Sequence, residues 1–361
     1  MEYVQERIAT VHDLTGRVPD APVDRAAVVV PMTDREYAGL APERTLSALE
    51  DVDPARVIVP IRAPADRVES FVAWLSGFDL PLTPLWCNAP AVEALLDGAG
   101  IDAPAGKGRD VWLGLGPAAR EEFVALHDAD VKNYDASQVP RLLAPLEEFD
   151  FAKGYYARVE NDRLYGRLFR LFYEPLVAAL AVRHPEPILE YLGAFRYALA
   201  GEMGFTSTVA RRLRPEPAWG LETGLLGEAF GTAGFGGTVQ VDLGVHEHDH
   251  RAVSGETGLA GMSEHVAGAL FRVLDERGID PEFETLAERY REVAERFLAG
   301  YAADAAFNGL AYDRAAERSQ VDAYAEAISP AEGDDRLPAW ADADLDPGAV
   351  LDASGRAIDA L

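Results

Sequence analysis

The sequence predicts an α/β fold: a mostly parallel central sheet, followed by a helical C-terminal extension. Three observations carry this. Short apolar runs rich in β-branched residues recur through the first third of the chain, each stopped by a proline or a polar loop. Stretches long enough for an amphipathic helix separate them, which is the spacing of crossover units. A pair of carboxylates stands just past one such run, at the strand edge where open α/β sheets bind their ligands.

Taken in order, residues 1–24 read as a short helix and a polar, proline-containing lead-in. Ala26-Ala27-Val28-Val29-Val30, closed by Pro31, is the first buried strand, and Val57-Ile58-Val59-Pro60 repeats the signal. Residues 81–86 follow the next amphipathic stretch, and Phe123-Val124-Ala125-Leu126 is a fourth strand that ends where Asp128-Ala129-Asp130 begins. Past Asp150 the character changes. Residues 165–181 carry helical spacing, with Leu168, Leu171, Phe172 and Leu176 apolar and Arg163, Arg167 and Arg170 forming a cationic cluster in an acidic chain. After the glycine-rich passage 231–237, residues 238–243 alternate as a strand does. Helical spacing returns from Ser263 to about residue 303, broken at Gly278 and Pro281, and the Asp, Ala, Pro and Gly content from Ser329 onward predicts a loose acidic tail. The expected division is a helical lead-in at 1–24, an α/β domain at 25–260, a helical region at 261–328 and an acidic tail at 329–361.

The 361 residues suffice for a large core without a staple, and 48% hydrophobic residues supply it. Asp and Glu number 61 against 33 Lys and Arg, for a net charge of −28. That excess argues against nucleic acid as a partner, because a phosphate backbone is repelled. It is spread along the chain and accompanied by few lysines, as expected of a halophilic protein working in a salt-rich cytosol where screening weakens self-repulsion. Cys87 stands alone, so neither a disulfide framework nor a cysteine zinc site is available. The N-terminus lacks the order of a signal peptide, and no apolar run approaches the roughly 20 residues that span a bilayer. A soluble, cytoplasmic protein without a membrane partner is expected.

Several groups could carry chemistry. Asp128 and Asp130, two apart on an extended segment, point to one side and could direct oxygen ligands at Mg²⁺ or Mn²⁺, although an acidic triplet also serves as a solvated loop. His246, His248 and His250 repeat the period-two spacing, so the cluster could supply one metal ligand, a surface or structural group, or a zinc site. In Gly106-Lys107-Gly108-Arg109 two glycines could let the backbone approach a phosphate that the cations neutralise, or form an ordinary turn. Lys153 adds a cation beside Gly154, Tyr155 and Tyr156. Gly166-Arg167 opens a helix, where an N–H and a guanidinium could hold a phosphate or carboxylate, or where Arg167 simply pairs with a nearby acid. Glu202 and Glu222, each set between glycines, could accept sugar hydroxyls or serve as helix caps.

The ordered set is similar to one known family. Val-Val-Val-Pro, Gly-Lys-Gly at 106–108, Asp-Ala-Asp at 128–130, Lys-Gly-Tyr-Tyr at 153–156, Gly166-Arg167, Ala200-Gly201-Glu202, the Trp-Gly-Leu-Glu-Thr-Gly-Leu-Leu run from Trp219, and the Gln-Val-Asp-Leu-Gly-Val-His-Glu-His run from Gln240 resemble the glucosyl-3-phosphoglycerate synthases and their mannosyl relatives. The resemblance covers roughly residues 26–300. It implies a GT-A nucleotide-binding fold, a homodimer, and retaining transfer of a hexose from a nucleotide-sugar donor to the 2-hydroxyl of 3-phosphoglycerate. It further implies Asp130 and His248 as ligands of Mg²⁺ or Mn²⁺, with Lys107 and Asp128 on the donor. Pro31, Asp34 and Glu36 fall to its base or ribose, and Glu222 lies beside the transferred sugar. Lys153, Gly166, Arg167 and His250 fall to the acceptor. Four departures bear on substrate choice: Pro31-Met32-Thr33 lacks the family's Asn-Glu-Glu run, Pro60-Ile61-Arg62-Ala63 replaces an Asp-Ser-Gly-Ser-type loop, Phe169 stands for a threonine and His250 for an asparagine. Competing expectations are mannosyl transfer or another small acceptor, a metal-dependent phosphohydrolase built on Asp128, Asp130 and His248, and a noncatalytic nucleotide-sugar-binding protein.

Overall fold

The structure, a computed structural model, describes residues 5–249, 259–330 and 333–361. Among these, ten strands form one scaffold: β1 Ala9–Val11, β2 Ala26–Val29, β3 Met32–Thr33, β4 Arg56–Arg62, β5 Leu82–Trp86, β6 Phe123–Leu126, β7 Phe151–Glu160, β8 Arg163–Leu164, β9 Met203–Thr206 and β10 Thr238–His246. Their spatial order is β1-β10-β7-β9-β6-β2-β4-β3, with β5 also on β4 and β8 on the end of β7. The pairs β2–β4, β2–β6, β4–β5, β7–β10 and β1–β10 are parallel, as the crossover pattern predicts. β2 and β6 are buried at every position, so they read as continuous apolar runs rather than alternating ones.

Pro60 lies inside β4 rather than at its end. Pairing of β4 with β2 stops at Ile58 and resumes with β3 at Ile61, so the missing N–H falls in the gap and no ladder bond is lost.

β9 is antiparallel to both its neighbours, β6 and β7. Short and glycine-containing, it carries no clear strand signal in the sequence. Its orientation decides the site, because residues 199–202 enter β9 at the same sheet edge where β6 and the other parallel strands exit.

Helices α1 Leu40–Val52, α2 Ala65–Leu75, α3 Pro90–Gly98 and α4 Lys107–Ala118 make the crossovers of the first half. α5 Gln138–Leu143 packs on the β6–β7–β10 side. A π-helical turn, Phe169–Tyr173, leads into α6 Glu174–Ala181, followed by α7 Pro187–Leu192, α8 Ser207–Ala210 and α9 Leu221–Thr232. The C-terminal helices are α10 Leu259–Asp275, α11 Phe283–Asn308, α12 Arg314–Ala325 and α13 Pro347–Asp359. None of the helices among the described residues is long and apolar enough to cross a membrane.

Two expectations are corrected. Among the described residues, the lead-in contains no α-helix; it contributes β1, which joins the sheet edge beside β10 because Ile8 is fully buried and Thr10 bonds Gln240. The acidic tail is not loose. Trp340 stacks on Trp112 of α4 with centroids 4.1 Å apart, its Nε1 donates to Trp112 O at 2.7 Å, and Trp112 Nε1 donates to Pro338 O at 2.8 Å. Further on, Val350, Ala353 and Ser354 of α13 are buried, and Ser354 Oγ accepts from Trp86 N of β5. Overall acidity hid these few apolar anchors, which fix the segment.

Candidate active site

The site grows from the end of β6. His127 N still donates to Val29 O of β2, and Asp128 and Asp130 follow just past the end of the strand. Residues 130–132 run antiparallel to 247–249: Val131 bridges His248, Lys132 N donates to Glu247 O at 2.7 Å, and Asp249 N donates to Asp130 O at 2.8 Å. This short ladder brings the segments carrying Asp130 and His248 together, with His248 opposite Val131 and Asp249 opposite Asp130. A third element completes it, since Glu160 at the end of β7 accepts from His248 N at 3.0 Å.

Asp128 faces Lys107. Lys107 Nζ lies 2.7 Å from Asp128 Oδ1 and 3.0 Å from Glu222 Oε1, so one ammonium at the start of α4 ties the end of β6 to the first turn of α9. Burial works against charge on Lys107, but the two carboxylates outweigh it and hold its pKa above the ordinary lysine value. Burial likewise opposes charge on Asp128, and Lys107 more than offsets it, keeping that carboxyl below its usual range. Asp130 makes no salt bridge among the described residues, although Lys107 and Arg158 act on it from a distance. Enclosure and the neighbouring Asp128 charge outweigh them and push it up to about 7, and its Oδ1 is buried with no hydrogen-bond partner among the described residues.

The glycines of the Gly106–Arg109 segment are tightly packed against another part of the chain. A Cβ on Gly108 would stand 1.7 Å from Glu216 O and one on Gly106 2.4 Å from Pro217 O. The two are needed for the close approach of residues 216–217, which seats α4 against the entry to α9 and so brings Lys107 to Glu222. Gly201 is required for a similar reason: its Cβ would lie 2.3 Å from Asp128 Oδ2.

Beneath this centre lie Glu202 and Lys153, both singled out in the sequence but without any sign of how deeply they are enclosed. Glu202 is fully buried, and neither carboxylate oxygen has a hydrogen bond of good geometry, although Tyr156 stands beside it. Burial first, and then Asp128, raise it to about 7. Lys153, 1% exposed, donates to Ala200 O, and desolvation lowers its pKa despite Glu222 and Glu202 nearby. The signal was present in the Lys-Gly-Tyr-Tyr motif, but only the antiparallel pairing of β9 with β7 reveals that it forms a floor.

Gly166 has φ +72°, a left-handed turn that a side chain would strain, and its Cβ position lies 3.2 Å from Tyr197 Oη. Arg167 follows on the first helical turn; it is exposed and makes no salt bridge among the described residues, so the simple pairing with a nearby acid does not occur. Lys153 is separated from it in character, being buried in the floor. Pro31 leaves β2; Asp34 N bonds Arg62 O, while Glu36 Oε2 accepts from both Thr33 N and Thr33 Oγ1 at 2.6 Å, closing its own turn. His246 stacks on Tyr156 at 3.9 Å and its Nε2 faces Gln138 Oε1; burial lowers it to about 4, so it is a neutral packing group. Among the described residues no three His, Cys, Asp or Glu side chains converge on one point as a closed metal site. His250 lies outside the described residues.

No protein-family model matches the chain. The glucosyl-3-phosphoglycerate synthase of Methanococcoides burtonii is 34% identical over 364 aligned residues, covering 93% of this chain and 90% of the relative. That of Persephonella marina is 34% identical, covering 84% and 80%. Among solved structures, a mycobacterial protein 26% identical superposes with a TM-score of 0.52 over 70% of this chain and 75% of that one. A Mycobacterium tuberculosis glucosyl-3-phosphoglycerate synthase structure, in complex with Mn²⁺, UDP-glucose and phosphoglyceric acid, superposes with a TM-score of 0.56 at 23% identity over 76% and 88%. The fold is GT-A, with the mostly parallel sheet and helical extension expected. Identity of a third, sustained over nine-tenths of both chains, means that this chain belongs to the glucosyl-3-phosphoglycerate synthase family.

Proposed function

We propose that this site transfers glucose, with retention of anomeric configuration, from UDP-glucose to the 2-hydroxyl of 3-phosphoglycerate. The observation that supports this reading is the ladder between 130–132 and 247–249, which brings the segments carrying Asp130 and His248 together beside the Lys107–Asp128–Glu222 cluster, with His248 close enough to Asp128 to act on its charge. Relatives across nearly the whole chain are named for this reaction.

The residues fit a hard divalent cation, Mg²⁺ or Mn²⁺. Asp130 presents a buried oxygen without a partner, and a two-residue ligand set leaves coordination positions for diphosphate oxygens and water. When bound, the cation offsets charge developing on the departing nucleotide diphosphate. Lys107 stands ready to turn from Asp128 toward that diphosphate, releasing Asp128 for the donor's sugar or ribose hydroxyls. Glu222, fixed by the start of α9, faces the transferred sugar, while Pro31, Asp34 and Glu36 border the nucleoside. Arg167 and the N–H groups at its helix start hold the anionic acceptor, with Gly166 fixing their direction. We assign Lys153 to the floor under the donor rather than to the acceptor, because its ammonium is buried on Ala200 O. In the front-face reaction the acceptor oxygen bonds the anomeric carbon as the bond to phosphate breaks, and the acceptor proton passes to the departing phosphate oxygen.

We also infer a cytoplasmic homodimer adapted to salt; the dispersed charge of −28 and the habit of the family support that reading. The test is a matrix of UDP-, GDP- and ADP-glucose and GDP-mannose against 3-phosphoglycerate at high salt with Mg²⁺ or Mn²⁺. Product mass and anomeric configuration are read. Failure of all three glucose donors refutes the proposal, and release of phosphate without sugar transfer favours a phosphohydrolase.

A further inference from the structure

The acceptor loop is held from behind by a residue on the C-terminal helices. Arg170, buried in the π-helical turn, donates from Nη2 to Leu164 O at 3.2 Å and from Nε to Tyr165 O at 2.8 Å, while its backbone N donates to Gly166 O at 3.0 Å. Three successive carbonyls leading to Arg167 are therefore fixed by one residue. Arg170 lies in a π-helical turn, a rare geometry that is frequent at functional sites.

Arg170 is fixed in turn by Glu317 of α12. The fork is bidentate, Nη2 to Oε1 at 2.8 Å and Nη1 to Oε2 at 3.2 Å, and both side chains are nearly buried. The Tyr301 ring covers the guanidinium at 4.7 Å, and Tyr301 Oη donates to Glu174 at 2.6 Å. The connection between α11 and α12 also pairs with the strand before the loop, through Ala311 N to Asp162 O at 2.7 Å and an Arg163–Ala311 bridge.

We propose that Glu317 is a positioning residue for acceptor binding, acting through the Arg170 fork to set the 164–167 loop from the C-terminal helices. Glu317 contacts Arg170 through this fork, and its carboxylate is needed because a buried guanidinium that loses its bidentate partner is drawn toward solvent and away from the Leu164 and Tyr165 carbonyls. The proposal rests on the assignment of Arg167 to the acceptor. It makes the helical extension part of substrate recognition.

The test measures dissociation constants of 3-phosphoglycerate and of UDP-glucose with Mn²⁺ on the full chain by calorimetry at fixed salt, alongside KM and kcat. Glu317→Gln should weaken 3-phosphoglycerate binding about tenfold while UDP-glucose binding stays within about twofold, since only the acceptor loop depends on the fork. The double variant Arg170→Met/Glu317→Leu leaves no lone buried charge, so it remains folded, yet it withdraws both side-chain donors and should show the same selective loss. Wild-type acceptor binding in either folded variant overturns the proposal, as does an equal loss for both substrates. Arg167→Ala separates the two levels. If it weakens acceptor binding while Glu317→Gln does not, the positioning role alone fails. If Arg167→Ala leaves acceptor binding unchanged, the acceptor assignment and the positioning role fall together.

Discussion

Replacing Trp340 with alanine tests whether the last residues are a fixed part of the catalytic domain. Trp340 is 7% exposed, lies parallel to Trp112 at 4.1 Å, and donates to Trp112 O. Removing a buried tryptophan costs about 3–5 kcal/mol, a range that already includes part of the stacking and hydrogen-bond terms. Gly116 supplies the internal control, because a Cβ there would meet Trp340 Cε2 at 2.4 Å. Gly116→Ala alone should destabilise by about 1–3 kcal/mol through overpacking. In the Trp340→Ala background the same methyl enters vacated space, and the change should become neutral or stabilising by up to about 1 kcal/mol from helix propensity. Guanidinium unfolding of the four proteins at constant ionic strength measures the cycle. A Trp340→Ala cost under about 1 kcal/mol, or a Gly116→Ala cost that is the same in both backgrounds, would refute the packing argument.

Three further outcomes follow from the site. Asp130→Asn and His248→Ala should each lower metal-dependent transfer by on the order of 100-fold or more with an unchanged circular dichroism spectrum; normal turnover in both removes the metal assignment. Gly166→Ala forces a side chain into a left-handed turn at a cost of about 1–2 kcal/mol and should raise the acceptor KM while sparing the donor KM; equal effects on both would contradict the local role. For Glu202, the folded pKa of about 7 lies above its ordinary 4.5, so the native state binds the proton more tightly. Its stabilising contribution is complete below the unfolded value and is lost as pH rises toward 7, by on the order of 3 kcal/mol. Glu202→Gln should therefore remove part of the stability loss between pH 5 and 7, and a variant whose stability falls as steeply as that of the parent speaks against a buried, poorly partnered carboxyl.

The sequence by itself determined the parallel half of the sheet, the long helical stretches and the chemistry-bearing residues, because each of these is local. Apolar β-branched runs announce buried strands, period-two carboxylates announce a shared side, and the ordered motifs from Lys107 to His248 identified the family. Tertiary structure decided the rest. Lys107 meets Glu222 because Gly106 and Gly108 admit the backbone of residues 216–217, an approach not visible in the sequence, where those glycines read equally as a phosphate contact or an ordinary turn. Glu202 lies under Asp128 only because the short β9 runs antiparallel, an orientation that no periodicity encodes. Acidity concealed the burial of Trp340 and α13, since solvent-facing charges dominate a composition while a few apolar contacts fix the segment. Local pattern specifies which elements form and which groups they carry; close packing between distant segments specifies which of those groups meet.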